Sequence, residues 1–278
     1  MAGTRNDTTA KTVKHERRQQ PNPAWAWEYL RRNRAYIRDY RAAAPGRQSP
    51  KQITTGSALI RETRCWPEAE KWGLLTFCDP QKHALHADVF WRPDYLAGAL
   101  RINMTPIATD DNGPADGEDE IILSAIKTRR TILDTVNGVR HLLLSSERFW
   151  IQLYCETPVP MTDHARIGVR IDGMKHYRRR LDTADQLLSL YQSSGRKLSL
   201  IGRSRNSKRL ADGLVAFDII AAGGSHRDVA IALQGKEDVA EKWGQPGAYL
   251  EDWTRRLIHR ASHLVDGGYM EFLTKKSV

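Results

Sequence analysis

The chain has 278 residues, with 43 Lys and Arg against 33 Asp and Glu, a formal net charge of +10 and a hydrophobic share of 40%. That length predicts about two domains at roughly 150 residues each, and the positive balance favours an anionic partner, nucleic acid before others. No run of about 20 apolar residues is present, so no membrane-spanning helix is expected, and a polar start without a signal core, with only the scattered Cys65, Cys78 and Cys155, points to a cytoplasmic chain without a disulfide framework.

Met1 to Gln20 lack periodicity and are rich in Thr, Lys, Arg and Gln, which predicts a disordered basic arm. Pro21-Asn22-Pro23 then opens a helix, with Asn22 as N-cap and Pro23 in the first turn. One continuous amphipathic helix is expected from Trp25 to Tyr40, ending at Ala44-Pro45-Gly46. Ala26, Tyr29, Leu30, Tyr36, Ile37 and Tyr40 share its apolar face, and Arg31, Arg34, Arg38 and Arg41 line a basic one. The aromatics Trp66, Trp72, Phe77, Phe90 and Trp91 lie in short loops and are expected to form a small core beneath it.

Asp110 to Glu120 is acidic and carries Gly and Pro without calcium-loop spacing, so it reads as a solvated linker. His141 to Leu144 and Phe149 to Cys155 predict a hairpin turning near Ser145, Ser146 and Glu147. Ile167, Val169 and Ile171 alternate with Arg166, Gly168 and Arg170 as in a half-buried strand. A helix over Asp182 to Tyr191 follows, using Leu187, Leu188 and Tyr191.

Past a basic, turn-like stretch from Gly202 to Arg209, a helix is expected over Lys208 to Ala222, stopped by Gly223-Gly224. Ser225-His226-Arg227-Asp228 fits a capping box that starts a short helix through Val229, Ala230 and Leu233, ending at Gln234-Gly235. Glu237 to Trp243 predicts a further short, acidic helix. From Tyr249 to Val265, Leu250, Trp253, Leu257, Ala261 and Leu264 gather on one side. Asp252, Arg255, Arg256, His259, Ser262 and His263 gather on the other, and Gly267-Gly268 closes the helix.

Helix, glycine turn, capped helix and basic helix describe a helix-turn-helix-like unit. The expected DNA contacts are Arg255, Arg256, His259, Arg260 and His263 on the last helix, Ser225, His226 and Arg227 at the capped start, and Arg203, Arg205, Lys208 and Arg209 upstream. Arginine forks pair with guanine O6 and N7, and arginine or histidine can hold phosphates. The late helix is preferred as reader because Glu237, Asp238 and Glu241 would repel phosphates from the earlier one. These helices carry their own stripes and caps, so a fragment from about Arg203 onward is expected to fold alone.

Leu214 to Leu233 (LVAFDIIAAGGSHRDVAIAL) and Arg255 to Tyr269 (RRLIHRASHLVDGGY) resemble the C-terminal helix-turn-helix variant domain of proteobacterial regulators of integrative and conjugative elements. FseA-type excision activators and QseM-type antiactivators share that domain. Gly138 to Gly195 resembles the region that commonly precedes it, and Trp25 to Asn33 with Phe90 to Pro93 resembles the activators' N-terminal domain. The resemblance implies a DNA-binding activator of excision or conjugative-transfer genes, with double-stranded DNA as partner and RNA polymerase and an antiactivator as further ones. The alternative it leaves open is an antiregulator that sequesters another regulator without binding DNA.

The expected architecture is α+β. Residues 1–22 form the arm, 23–108 a helical and aromatic regulator-like domain, 109–120 the acidic linker, 121–200 a strand-rich middle region, and 201–278 the DNA-binding domain. Enzymes are set aside. Cys78, His83 and His86 lack a second ligand pair for zinc, no phosphate loop, nucleophile elbow or HExxH is present, and His259 to Tyr269 only resembles a tyrosine recombinase in residue types. No cofactor or metal is expected.

Overall fold

The computed structural model describes residues 20–43, 50–53, 56–106, 120–122, 126–156, 164–192, 206–245 and 249–274. Residues 1–19 of the arm expected over 1–22, most of the acidic linker and the end of the first helix at Ala44-Pro45-Gly46 lie outside the described residues. Gln20, Pro21 and Asn22 are buried and lead into the first helix instead of belonging to an arm.

The fold is α+β, as its sequence predicts: N-terminal helices, a strand-rich middle and C-terminal helices. The N-terminal helix differs in detail. It is two helices, α1 over Asn22–Leu30 and α2 over Arg34–Ala43. Pro21 rather than Asn22 takes the N-cap position, and every residue of α1 is buried. The break lies at Arg31-Arg32-Asn33, where the Asn33 side-chain oxygen accepts from the backbone N–H groups of Ala35 and Tyr36 at 2.8 and 3.0 Å. Asn33 thereby caps α2. Its side-chain amide also donates to Val265 O at 2.9 Å, 232 residues away. Arg31 consequently leaves the basic stripe, whereas Arg34, Arg38 and Arg41 remain exposed on α2.

Among the described residues, eight strands form one sheet. They are β1 (Lys51–Gln52), β2 (Ala58–Arg61), β3 (Leu100–Pro106), β4 (Glu120–Ile122), β5 (Arg129–Asp134), β6 (Arg140–Ser145), β7 (Trp150–Cys155) and β8 (His164–Arg170). Their order is β1-β2-β5-β6-β7-β3-β8-β4. The β6–β7 hairpin forms where expected, with Leu142 opposite Leu153 and Leu144 opposite Ile151. β2 joins β5 in parallel, and β3 joins β7 in parallel while pairing antiparallel with β8. A short helix α3 (Pro67–Glu70) precedes the aromatic loops, and α4 (Tyr177–Gln192) follows the sheet, starting five residues earlier than expected and leaving Leu188 exposed.

Both sheet faces are buried, so the central strands read as near-continuous apolar runs. Ile102, Met104, Ile132, Leu142, Leu144, Ile151 and Leu153 pack on one side with Leu187 and Leu190 of α4. Leu133, Leu143 and Trp150 face the other side and join a core that also holds Trp25, Trp27, Tyr36, Trp66, Phe77, Phe90 and Trp91. Gln152 clips this aromatic layer to the sheet: its side chain accepts from Trp91 N and donates to Trp91 O.

The C-terminal helices are α5 (Ser207–Ala221), α6 (His226–Gln234), α7 (Lys236–Lys242), α8 (Tyr249–Val265) and α9 (Glu271–Thr274), with a 3-10 turn at Gly268–Met270 before the last. Leu210, Ala211 and Leu214 of α5, Ala261, Leu264 and Val265 of α8, and Tyr269 and Leu273 belong to the same core as the N-terminal aromatics. The core therefore draws on both the 23–108 and the 201–278 segments.

Candidate nucleic-acid interface

The turn between α5 and α6 needs its two glycines for different reasons. Gly223 has a positive φ of 88°, which suits a residue without Cβ. A Cβ on Gly224 would lie 2.6 Å from Ile219 Cγ2. Ser225 then caps α6: its hydroxyl accepts from Asp228 N at 3.2 Å, and the Asp228 carboxylate accepts from Ser225 N at 2.8 Å and from the Ser225 hydroxyl at 2.7 Å. These bonds, the backbone one foremost, hold the Asp228 carboxyl below its ordinary range. The reciprocal capping box expected from Ser225 and Asp228 is thus formed.

α5, α6 and α8 close on a small apolar centre of Ala216, Val229, Leu257 and Ile258, with Ile219, Ile220, Leu233 and Trp253 around it. The buried stripe of α8 runs through Thr254, Leu257, Ile258, Ala261, Leu264 and Val265. Trp253 and Leu250, expected on that side with Leu257, Ala261 and Leu264, sit at its edge and are only partly buried. The cause is local: Thr254 turns inward and its hydroxyl donates to Leu250 O at 2.7 Å, so a small β-branched residue occupies the innermost position.

Arg255, Arg256, His259 and His263 are exposed on the side of α8 opposite that stripe, with Arg260 exposed at its border. Arg255 pairs with Asp252 at 2.8 Å, Arg260 lies 3.3 Å from Glu271, and His263 Nε2 lies 3.6 Å from the same carboxylate. Arg256 and His259 form no ion pair with another described residue. Ser225, His226 and Arg227 lie at the start of α6, and Lys208 and Arg209 are exposed in the first turn of α5. Arg203 and Arg205 lie outside the described residues. α7 packs against α6, buries Val239 and exposes Glu237, Asp238 and Glu241.

Tyr269 is buried and its hydroxyl donates to Trp72 O at 3.2 Å. Burial pushes its phenol above the ordinary value, so it is no exposed nucleophile of the recombinase kind. The Cys78 thiol is buried and pushed up to about 12 by that burial. His83 lies against Arg31, 3.0 Å from its guanidinium.

Sequence reasoning missed the clamp around Glu28. This carboxylate is buried in α1 and meets Arg31 at 2.6 Å, Arg32 at 2.9 Å and Ala84 N at 2.8 Å. Arg32 reaches on to both carboxylate oxygens of Asp218 in α5, at 2.8 and 2.9 Å. The signal for it in the sequence is an acidic residue inside an otherwise apolar run, followed three and four residues later by arginines.

Residues 159–274 match the family model described as T6SS, Transcription factor, DNA binding domain. Residues 15–75 match the one described as Proteobacterial transcriptional regulator-like domain. No curated protein matches the chain. The first match begins at 159, before the boundary expected at 201, and takes in β8, α4 and all the C-terminal helices. The chain therefore carries the DNA-binding domain of a transcription regulator. Neither description names excision or conjugative transfer.

Proposed function

We propose that this chain regulates transcription by reading double-stranded DNA with the outer face of α8. The observation that carries the reading is one helix holding Arg255, Arg256, His259 and His263 on one side and Leu257, Ala261 and Leu264 buried on the other. A 17-residue helix with that division can enter a major groove while α5 and α6 hold it from behind. Arg255 and Arg256 present forks suited to guanine edges. Ser225, His226 and Arg227 at the positive end of α6, and Lys208, Arg209, Arg260, Arg203 and Arg205, suit phosphates. The reader is α8 and not α7, whose exposed carboxylates oppose the backbone charge.

The resemblance to FseA-type activators supports a role in the cytoplasm on excision or conjugative-transfer genes, with RNA polymerase and an antiactivator as protein partners. The basic stripe of Arg34, Arg38 and Arg41 on α2 is available to such a partner. A second reading, a protein-binding antiregulator, draws on Tyr177, Leu181 and Leu188, which leave an apolar strip exposed on α4.

A mobility-shift titration of the full chain tests the first reading. Arg255→Ala with Arg256→Ala should weaken binding to the cognate site by about 1–3 kcal/mol for each guanine no longer read, roughly five- to 150-fold. An arginine that holds phosphate would instead, on removal, weaken all sequences alike and lower the salt slope by about one. Unchanged affinity removes α8 as the reader. A stable complex with another regulator and no DNA shift favours the antiregulator. Immunoprecipitation of bound DNA from cells identifies the target genes.

A further inference from the structure

Behind the outer face of α8 lies a cavity of about 340 Å³, within the roughly 300–1,000 Å³ of small-molecule sites. Four elements wall it: Tyr29 of α1, the first turns of α5, the inner face of α8, and Phe272 of α9. The floor is apolar, made by Leu210, Leu257, Ala261, Leu264 and the Phe272 ring, which stacks on Tyr29 at 6.0 Å between centroids. Tyr29 is already committed, because its hydroxyl donates to Leu210 O at 2.8 Å. Gly213 allows that approach, since a Cβ there would stand 2.8 Å from the Tyr29 hydroxyl.

The rim is positive. Arg209 is exposed and makes no ion pair with another described residue. Arg260 faces it from α8, with Glu271 at 3.3 Å as a partner at the surface. The cavity also opens beside the start of α5, a 15-residue helix whose N-cap Asn206 supplies no side-chain cap. The positive end of a helix dipole therefore adds to the two guanidiniums. An apolar floor under two arginines and a helix N-terminus suits a carboxylate or sulfonate on a flat or branched apolar body.

We propose that this cavity is a binding site for a small organic anion with an apolar body, held by Arg209 and Arg260 over the Leu257, Ala261 and Phe272 floor. The floor of the site is separate from the outer face of α8, but its rim shares Arg209 and Arg260 with the phosphate contacts proposed above, so the titration is made without DNA and its outcome does not rest on that reading.

Calorimetric titration of the full chain with 2-naphthoate, beside its neutral counterpart 2-naphthalenemethanol, tests it. One equivalent of naphthoate should bind, at least tenfold more tightly than the alcohol. Arg209→Gln, a change at an exposed residue, should weaken naphthoate at least fivefold and leave the alcohol unchanged. Arg260→Gln should do the same, and Ala261→Leu, which fills the floor, should abolish binding of both. Thermal melting of each variant separates a binding defect from a folding defect, and Arg209→Gln keeps the test open if Ala261→Leu does not fold. No saturable binding, equal affinity for acid and alcohol, or naphthoate affinity unchanged in Arg209→Gln overturns the proposal.

Discussion

Without Glu28, the nearly buried guanidiniums of Arg31 and Arg32 would lose their shared anion beneath the aromatic core. Burial by itself would raise the Glu28 carboxyl, but the His83 contact, both arginines and the Ala84 amide outweigh it, and the group is held well below the ordinary carboxylate range. Breaking a buried ion pair costs about 3–5 kcal/mol. Glu28→Ala should fall at the low end, because Arg32 keeps Asp218, and denaturant unfolding would measure it. The pH dependence has a fixed sign. A depressed folded-state value means the stabilisation is whole above about 4.5, the ordinary value, and is lost as pH falls toward the folded one. Glu28→Gln should therefore flatten the acid limb of the stability curve. An acid limb identical to the parent's would show that Glu28 is not ionised in the folded protein.

At the scale of elements, α8 ties the sequence pattern to a measurable ranking of side chains. Leu257 lies at the junction of α5, α6 and α8, whereas Trp253 lies at the edge of that centre. Leu257→Ala should cost about 2–5 kcal/mol, as for a buried leucine. Trp253→Ala should cost less, although tryptophan is the larger residue, because it packs at the edge of that centre and stays partly exposed. Thermal melting of the two variants ranks them, and the reverse order would rotate α8 relative to its neighbours. The same helix shows which features were legible. Its limits and its basic outer face follow from sequence periodicity, as do the Ser225 capping box and the β6–β7 hairpin, because each rests on residues within one turn or one tight connection. The inward turn of Thr254 was hidden, since periodicity weights a tryptophan above a threonine. The break between α1 and α2 was hidden too. It contains neither Gly nor Pro, and it depends on Asn33 serving both the start of α2 and a carbonyl at the far end of the chain. Parallel pairing of the four-residue β2 with β5 likewise carries no local pattern, since its partner lies some 70 residues on.

At the scale of the whole molecule, the sequence suggests that the C-terminal helices stand alone, and the shared core argues otherwise. Leu210, Leu214, Leu264, Val265, Tyr269 and Leu273 are buried in company with Trp25, Tyr29 and Leu30. Polar contacts join the same parts: Arg32 to Asp218, Tyr29 to Leu210 O, Asn33 to Val265 O and Tyr269 to Trp72 O. Full burial of each such apolar side chain is worth roughly 1.5–3 kcal/mol. A domain's net stability is only about 5–15 kcal/mol, so losing part of the burial on six of them would consume most of it. A fragment starting at Arg203 should therefore fail to melt cooperatively at the temperature of the whole chain, and should shift DNA weakly or not at all. Tying the N-terminal segment to α5 and α8 in this way makes it a support for the proposed reader. Circular dichroism melts and mobility shifts of fragment and full chain, side by side, decide the matter. A fragment that melts as sharply as the whole protein and binds the same DNA with equal affinity would free the N-terminal helices from any part in holding α8.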